Sequence, residues 1–432
     1  MMKKLPEIFR YLKNELQNPF TLSLILIFLT LVLLLPTSSF ESDLMVYVDW
    51  INTIRNLGVA NIYLQQVNYF PIFIYILYLF NLIIGSTVVL VTKIYLIKIF
   101  ILIFDIGSIW LVGKLLKKLK LSAFLSLLIL FNPAFFYNSI FWGQIEAIYI
   151  FFIVASLLAA IYHHPNWSII LFLLALYTKL QAIIFLPIIV LILLPYYWKN
   201  KKLIFQALMV IIISHVIILF PYIVKGPLIY MYAHVLKSFN MFPFLSANAF
   251  NFWVLIMGQS QALTTDATKF LFLSYKAWGI IMFAVSSVVI MLPLFWDIVR
   301  KNVITKIVTK EFVKTVFLVC GLISLTFFFF NTEMHERYLQ PSIVLIGIAL
   351  LLKPSKILIL SYALISIAFF FNLEYVLQHF KFDLNNSLLF NPQLISLMYL
   401  VVLILGIWEL YKSRNDFVKK SYKKKLSQSK DS

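Results

Sequence analysis

The chain has 432 residues, of which 62% are hydrophobic and only 12% are charged, and its formal net charge is +19. Ordinary soluble domains carry about 25% charged residues, so this composition excludes a soluble globular protein. The positive charge does not predict nucleic-acid binding, because the basic residues lie between apolar segments, as membrane topology requires. The single cysteine, Cys320, excludes an internal disulfide and a cysteine-based metal site.

Apolar segments that could each cross a hydrocarbon core of about 30 Å recur along the chain. In lipid their backbone polar groups must be satisfied internally, which favours helices. We therefore predict an all-α polytopic membrane protein, with one membrane domain over residues 1–432 and about twelve transmembrane helices. The predicted spans are 20–36, 94–113, 121–138, 146–162, 166–180, 182–198, 203–223, 270–297, 312–330, 338–352, 356–371 and 393–411.

The distribution of lysine and arginine decides the status of one more apolar segment, 69–84. With the spans above, most basic residues fall in one set of loops, whereas a crossing at 69–84 would move most basic clusters outside. We therefore expect 69–84 to lie at the outer interface and both termini to be cytoplasmic. The resulting map contains a first outer loop with interfacial helices (37–93, "the first loop"), a large outer loop (224–269, "the large loop"), a shorter outer loop (372–392) and a basic cytoplasmic tail (412–432).

The first loop contains a carboxylate at the start of an apolar stripe. Asp43, Tyr47 and Trp50 follow one another at helical spacing, which predicts an interfacial helix with these residues on one face. Asp43 is either a general base that faces a cavity or an acid favoured at a helix start by the macrodipole. Asp49 lies off this stripe and is expected to be solvated.

A turn follows the third predicted span. Gly143 allows a tight turn between Trp142 and Gln144, and Glu146 comes two residues later. Gln144 and Glu146 are expected to face the same outer space as Asp43, which makes these residues substrate-site candidates. An aromatic belt at the membrane interface is the alternative explanation for the turn.

Lys179 and Gln181 lie between two spans that nearly touch in sequence, with Pro187 shortly after them. A lysine at the outer end of a span has two interpretations. It extends to the interface to keep its ammonium in water, or it contacts a phosphate.

The strongest local signal is the segment 331–339, which we name the His335 loop. It places Glu333, His335, Glu336 and Arg337 between two apolar runs, and ionisable groups at a membrane boundary are costly. Histidine and arginine together suit a phosphate ester, since arginine offers a planar fork of donors. Alternatively the two glutamates pair with Arg337. A metal site is disfavoured because the segment holds one histidine without a ligand spacing.

In this order, these segments resemble the polytopic GT-C glycosyltransferases, which use polyprenyl-phosphate sugars. The likeness covers residues 20–345, and the segment 334–338 is the most distinctive match. The run 246–253 is similar to a large-loop motif of bacterial mannosyltransferase-like members. The other matching motifs are Asp43 with Trp50, Tyr69-Phe70-Pro71, Asn132-Pro133, Trp142-Gly143-Gln144 and Lys179-Leu180-Gln181-Ala182.

The resemblance implies an inverting transfer on the outer face, with Asp43 as general base. It also implies that His335 and Arg337 hold the donor phosphate and that Lys179 is a second candidate for that role. Related bacterial sequences often have aspartate where this chain has Glu146. The remaining substrate-site candidates are Trp50, Trp142, Gln144, Glu146, Gln181, Asn251, Glu336 and Tyr338.

The sequence therefore predicts a hexosyltransferase of the mannose or glucose type in the bacterial plasma membrane. Its donor would be a polyprenyl-phosphate sugar, its acceptor a glycan, a lipid or a protein, and it would need no metal or other cofactor. Protein O-mannosylation is less favoured, because the first loop lacks the Asp-Glu pair of those enzymes. The alternative is a transporter or flippase of lipid-linked glycans, although transporters typically show repeats and helices broken at the midplane.

Overall fold

A computed structural model of the chain describes residues 13–37, 41–85, 87–198, 201–226, 228–301, 308–382 and 391–428. These residues are almost entirely helical, and their only strands form one antiparallel ribbon of β1 (Lys269–Phe270) and β2 (Leu273–Ser274). Six of their helices are long and apolar enough to cross a membrane, and the number rises to eight if each of two bent pairs is one span. The protein is therefore an all-α chain with the helices of a multi-pass membrane protein.

The helices are numbered in chain order. The first half contains α1 (Pro19–Leu33), α2 (Glu41–Leu57), α3 (Pro71–Ile84), α4 (Thr87–Lys93), α5 (Ile97–Lys118), α6 (Leu127–Leu130), α7 (Pro133–Phe136), α8 (Glu146–Ile161) and α9 (Pro165–Leu176). The second half contains α10 (Leu186–Trp198), α11 (Lys201–Val224), α12 (Leu228–Lys237), α13 (Phe252–Met257), α14 (Tyr275–Lys301), α15 (Lys310–Phe330), α16 (Gln340–Leu352), α17 (Lys356–Phe382) and α18 (Pro392–Gln428). Short 3₁₀ segments lie at Val59–Leu64, Ile94–Leu96, Ala123–Ser126, Leu180–Phe185, Ser238–Asn240, Gly258–Leu263 and Glu336–Leu339, and a π-helix lies at Tyr137–Trp142.

The six helices that are long enough to cross a membrane each coincide with a predicted span. They are Leu180–Trp198, Lys202–Val224, Tyr275–Val299, Lys310–Phe330, Lys356–Leu377 and Pro392–Lys412. The other predicted spans are helical as well, but within the described residues they are shorter or bent. Helices α1, α8 and α9, for example, have 15, 16 and 12 residues.

The predicted span 121–138 is not one helix. Its two parts, Ala123–Leu130 and Pro133–Trp142, are bent by 64° at Asn132. Pro133 lacks a backbone N–H and disfavours a helical residue before it, so the first helix must end here. The side chain of Asn132 then caps the second part by accepting hydrogen bonds from the backbone amides of Ala134 and Phe135.

Three further boundaries differ from the predictions. Helix α17 runs on to Phe382, so the segment 372–382 of the predicted outer loop is helical, and residues 383–390 lie outside the described residues. Similarly, α18 continues through the predicted tail as far as Gln428. Neither extension contains a glycine or proline, and polar residues alone do not end a helix. In contrast, the predicted span 270–297 starts only at Tyr275, because the β-ribbon occupies its first residues.

The first loop forms a helical layer that shares an apolar cluster with neighbouring segments of the chain. Tyr47 and Ile51 of α2 are buried in the same cluster as Phe73 and Leu77 of α3. Helix α3 makes an angle of 113° with the helix that follows it at Val89–Lys118, so segment 69–84 does not simply continue that span. The layer carries Asp43 and Trp50 on α2.

The helices α15 and α16 form the centre of the main core. Of the most apolar 18-residue stretch of α15, 83% is buried inside the protein. Gly321 allows α16 to approach closely, since an added Cβ would lie 2.6 Å from Cγ1 of Ile346. The His335 loop connects these two helices, so its ionisable residues are held at the tip of a tightly packed hairpin.

Candidate functional site

One cavity of about 580 Å³ collects residues from distant parts of the sequence. Its walls come from the first loop, the large loop, the His335 loop and the segment that begins at Lys179. The predicted site residues that line it are Asp43, Trp50, Trp142, Lys179, Gln181, His335, Glu336, Arg337 and Tyr338. The structure thus brings the first loop and the His335 loop together, which their sequence positions do not show.

Asp43 is oriented by two side chains from the turn that follows the π-helix. Its Oδ2 accepts hydrogen bonds from Nε1 of Trp142 at 3.2 Å and from Nε2 of Gln144 at 2.6 Å. Gly143 makes this possible, because its left-handed backbone (φ 81°) turns the chain between the two donors. No hydrogen bond reaches Oδ1 from the residues that the structure describes, so this oxygen is available to accept a proton.

Aromatic rings form the wall beside Asp43. The indole of Trp50 and the ring of Tyr69 meet edge to face with centroids 5.4 Å apart, and Tyr47 packs 6.0 Å from Trp50. Burial raises the pKa of both tyrosine hydroxyls well above the usual range, so they remain neutral. Aromatic faces with polar tips suit the apolar faces and hydroxyls of a sugar ring.

The His335 loop is held in place by the large loop. The amide of Ala247 donates a 2.9 Å hydrogen bond to the carbonyl of Met334, and His335 pairs with Ala247 in a short bridge. The imidazole of His335 lies between the rings of Phe242 at 4.9 Å and Tyr338 at 5.3 Å. Burial, with the nearby Arg337 and Lys179, holds the pKa of His335 well below its ordinary value. His335 is therefore a neutral hydrogen-bonding group at neutral pH.

Four charged side chains meet at the cavity, where Lys179, Glu336 and Arg337 belong to the lining and Glu146 lies behind it. Lys179 forms an ion pair with Glu146, and Nη1 of Arg337 lies 3.0 Å from Oε1 of Glu336. Nε of Arg337 lies 3.9 Å from Oε1 of Glu146, which links the two pairs. The cluster is buried, and its two cations and two carboxylates balance one another.

Burial shifts the pKa values within this cluster. It would lower the pKa of Arg337, but Glu336 and Asp43 outweigh it, so the guanidinium stays charged. Burial raises the pKa of Glu336 despite its arginine partner.

The interpretation of Lys179 as a snorkelling residue is wrong. Its side chain is 2% exposed, and its ammonium lies 4.5 Å from the ring centroid of Tyr338. Gln181, two residues further along the chain, also lines the cavity. Both predicted residues of this segment thus face the cavity beside the His335 loop.

Three predicted candidates do not line the cavity. Gln144 and Glu146 lie one layer behind it and contact Asp43 and Lys179. Asn251 instead caps α13 by accepting from the amides of that helix, and it donates a 3.1 Å hydrogen bond to the carbonyl of Asn331. Its place is structural, at the junction of the large loop and the His335 loop.

Sequence reasoning missed Lys276, which joins three segments at the cavity. Its Nζ lies 2.6 Å from Oδ1 of Asn240, 2.6 Å from Oε1 of Glu333 and 3.5 Å from Oδ2 of Asp266. Lys276 was hidden because it falls inside an apolar run that predicts a span, and no local signal separates it from that run.

Within the described residues, no group of three or more histidine, cysteine, aspartate or glutamate side chains could hold a metal ion. No protein-family model matches the chain, and no curated protein shows a significant match to it. A function for the protein must therefore be inferred from the geometry of this cavity.

Proposed function

We propose that the protein is an inverting GT-C-type glycosyltransferase that moves a hexose from a polyprenyl phosphate to an acceptor. The observation that carries this proposal is a single 580 Å³ cavity that contains an oriented carboxylate, Asp43, and the cations Lys179 and Arg337. An inverting transfer from a phosphate donor needs a base for the acceptor and positive groups for the leaving phosphate.

The proposed step is a single displacement. The acceptor hydroxyl attacks the anomeric carbon, the new carbon–oxygen bond forms, and the bond between that carbon and the phosphate oxygen breaks. The acceptor proton moves to Oδ1 of Asp43, while Trp142 and Gln144 hold the other oxygen. The attack comes from the face opposite the phosphate, so the anomeric configuration inverts.

The leaving phosphate carries negative charge without needing a proton from a general acid. Lys179 and Arg337 stabilise this charge inside a largely buried site, where electrostatic contacts are stronger than in water. The neutral His335 adds a hydrogen bond to the phosphate. Trp50 and Tyr338 offer ring faces for the sugar.

An apolar groove offers a place for the prenyl chain. A second cavity of about 240 Å³ lies between α9 and α11, and it is lined almost only by aliphatic side chains. Tyr177 connects the two regions, because its ring lies 5.2 Å from His215 on α11 and 5.4 Å from Phe70, which lines the main cavity. A lipid tail in this groove would leave its phosphate near the cations.

The proposal includes a membrane arrangement. We infer about twelve crossings of a bacterial plasma membrane, with both termini in the cytoplasm and the cavity on the outer side. The position of the basic residues between the predicted spans supports this orientation. The hexose would be of the mannose or glucose type, and the acceptor a glycan, a lipid or a protein.

The test is transfer by the purified protein in liposomes. Radiolabelled polyprenyl-phosphate mannose and polyprenyl-phosphate glucose serve as donors, and a lipid and glycan extract of the source cells supplies acceptors. We expect label to move to an acceptor with the wild-type protein. With Asp43→Asn we expect donor binding to persist and transfer to fall by about 10²–10⁴-fold, the range for loss of a general base.

The matched control is Asp49→Asn, because Asp49 lies on the same helix with an exposed side chain. It should transfer at the wild-type rate. Equal rates for Asp43→Asn and wild type would refute the base assignment. Translocation of both labelled donors without any transfer would instead establish the transporter alternative.

A further inference from the structure

Glu146 occupies an unusual position for a charged residue. It is the first residue of α8, its side chain is 0% exposed, and it does not line the cavity. Its Oε1 pairs with Lys179 and lies 3.9 Å from Nε of Arg337. Its Oε2 has no hydrogen-bond partner among the described residues. A single buried carboxylate oxygen therefore faces both cations of the site.

The two cations could not share this site without such a carboxylate. The side chain of Lys179 is 2% exposed, and the guanidinium of Arg337 lies 3.9 Å from the same Glu146 oxygen that pairs with the lysine. Loss of the negative charge would leave two positive groups in a medium that screens poorly, and the lysine would respond by losing its proton. Arginine would not respond in this way, because its guanidinium stays protonated in proteins.

We propose that Glu146 is a positioning residue that keeps Lys179 protonated and fixes it beside Arg337, so that the two side chains act as one anion-binding point. The proposal rests on the proposed function for the identity of the anion, which is the donor phosphate. It assigns to Glu146 a task behind the cavity wall, without contact with the sugar or the acceptor.

The surroundings of Lys179 support this role for Glu146. The ring of Tyr338 lies 4.5 Å from the ammonium, and the ring of Tyr69 lies 5.8 Å from it. Aromatic faces stabilise a cation only modestly. Besides Glu146, the charged groups Arg337 and Asp43 also act on the ammonium. Of the carboxylates, only Glu146 forms an ion pair with Lys179 in the described part of the chain.

The direct test measures the protonation of Lys179. Reductive methylation with formaldehyde and a mild hydride donor modifies only neutral amines, and both reagents are small enough for the cavity. The purified protein is labelled at a series of pH values, and the extent at Lys179 is read by peptide mass spectrometry. The labelling midpoint is the pH at which half of Lys179 is methylated. We expect this midpoint to be at least one pH unit lower in Glu146→Gln than in wild type. In Glu146→Asp it should lie closer to the wild-type value.

A second buried pair supplies the matched control. Lys314 and Glu409 lie 2.6 Å apart, with side chains 2% and 5% exposed, and neither lines the cavity. Glu409→Gln breaks a comparable ion pair and should leave the Lys179 midpoint at the wild-type pH. An unchanged midpoint in Glu146→Gln would overturn the proposal. If that variant does not fold, complete methylation of Lys179 at pH 7 in the wild-type protein would overturn it equally, because Glu146 would then not keep the ammonium protonated.

The functional consequence is a second, separate readout. The transfer rate of Glu146→Gln should fall at alkaline pH values at which the wild type is still active, since neutral Lys179 no longer attracts the phosphate. The double variant Glu146→Gln/Lys179→Arg should recover transfer activity at alkaline pH, because an arginine keeps its charge. Failure of this rescue would contradict the positioning role. Labelling needs no donor, so a shifted midpoint in a protein without transferase activity would leave the Glu146 assignment intact and reject the proposed function alone.

Discussion

Gln144 donates a 2.6 Å hydrogen bond to Oδ2 of Asp43 across a separation of 101 residues. The contact joins the turn after the π-helix to the first helix of the first loop. Trp142 donates to the same oxygen from the other side of Gly143. The carboxylate orientation therefore depends on a turn that lies outside its own helix, and the strength of this arrangement can be measured.

Replacement of Gln144 by alanine should slow transfer without unfolding the protein. The change removes the shorter of the two hydrogen bonds to Asp43 and frees the carboxylate to rotate away from the acceptor. Small displacements of a catalytic group typically cost about 10–100-fold in rate. We expect kcat to fall by this amount while donor binding changes little, as measured by initial rates and by equilibrium binding of the labelled donor.

The control for this change is Gln65→Ala, an exposed glutamine in the first loop. It should transfer at the wild-type rate. A Gln144→Ala protein that turns over within two-fold of wild type would show that Trp142 alone orients the carboxylate.

Lys276 should determine how firmly the large loop covers the cavity. Lys276→Met removes the contacts of its ammonium with Asn240, Glu333 and Asp266, and the methionine retains most of the side-chain volume. We expect faster proteolysis near residues 238–245 and a several-fold higher KM for the donor. Limited proteolysis and steady-state kinetics measure these effects.

Lys269→Met provides the comparison, because Lys269 is an exposed residue in the β-ribbon of the same loop. Its proteolysis pattern and KM should match the wild type. If Lys276→Met is cleaved no faster than Lys269→Met, the lysine does not hold the loop.

Local patterns in the sequence predict part of this site, and they do so for a physical reason. Helical spacing identifies the face of α2 that carries Asp43 and Trp50, because periodicity is a local property. The cost of ionisable groups at a membrane boundary identifies His335 and Arg337. The pairing of Glu146 with Lys179 links residues 33 positions apart, and no local pattern encodes it.

The points at which the structure departs from the predicted spans have similar reasons. Hydropathy predicts where a chain is apolar but not where a helix bends. Pro133 inside one predicted span introduces a 64° bend, and the π-helix that follows carries Trp142 to Asp43. The predicted end of α17 comes too early, because polar residues mark a change of environment and a helix continues until its backbone is interrupted.

The buried pair of Lys314 and Glu409 should be far more sensitive to the loss of one partner than to the loss of both. Lys314→Met removes the ammonium that lies 2.6 Å from the buried carboxylate of Glu409, and breaking a buried ion pair in this way typically costs about 3–5 kcal/mol. The double variant Lys314→Met/Glu409→Leu removes both charges and should recover most of that loss. The unfolding temperature in detergent, followed by tryptophan fluorescence, compares the stability of wild type, Lys314→Met and the double variant. A double variant less stable than the single one would show that this ion pair itself stabilises the helix packing of α15 and α18.

The neutral state of His335 predicts a dependence of stability on pH. Its pKa in the folded protein is well below the ordinary value of about 6.5, mainly because of burial. Below pH 6.5 His335 therefore binds a proton in the unfolded chain but not in the folded protein. The free energy of unfolding falls as pH falls, by up to about 1.4 kcal/mol per pH unit. Above pH 6.5 both states are neutral at this residue and the effect vanishes.

His335→Gln should remove this acid sensitivity, because glutamine does not titrate. We expect the unfolding temperature of wild type to fall more steeply than that of His335→Gln between pH 6.5 and pH 5, and the two curves to run parallel between pH 7 and pH 8. His234→Gln serves as the control, since His234 lies on α12 and does not line the cavity. Parallel curves for wild type and His335→Gln over the whole range would mean that His335 accepts its proton in the folded protein, and the loop would then offer the phosphate a third positive charge beside Arg337 and Lys179.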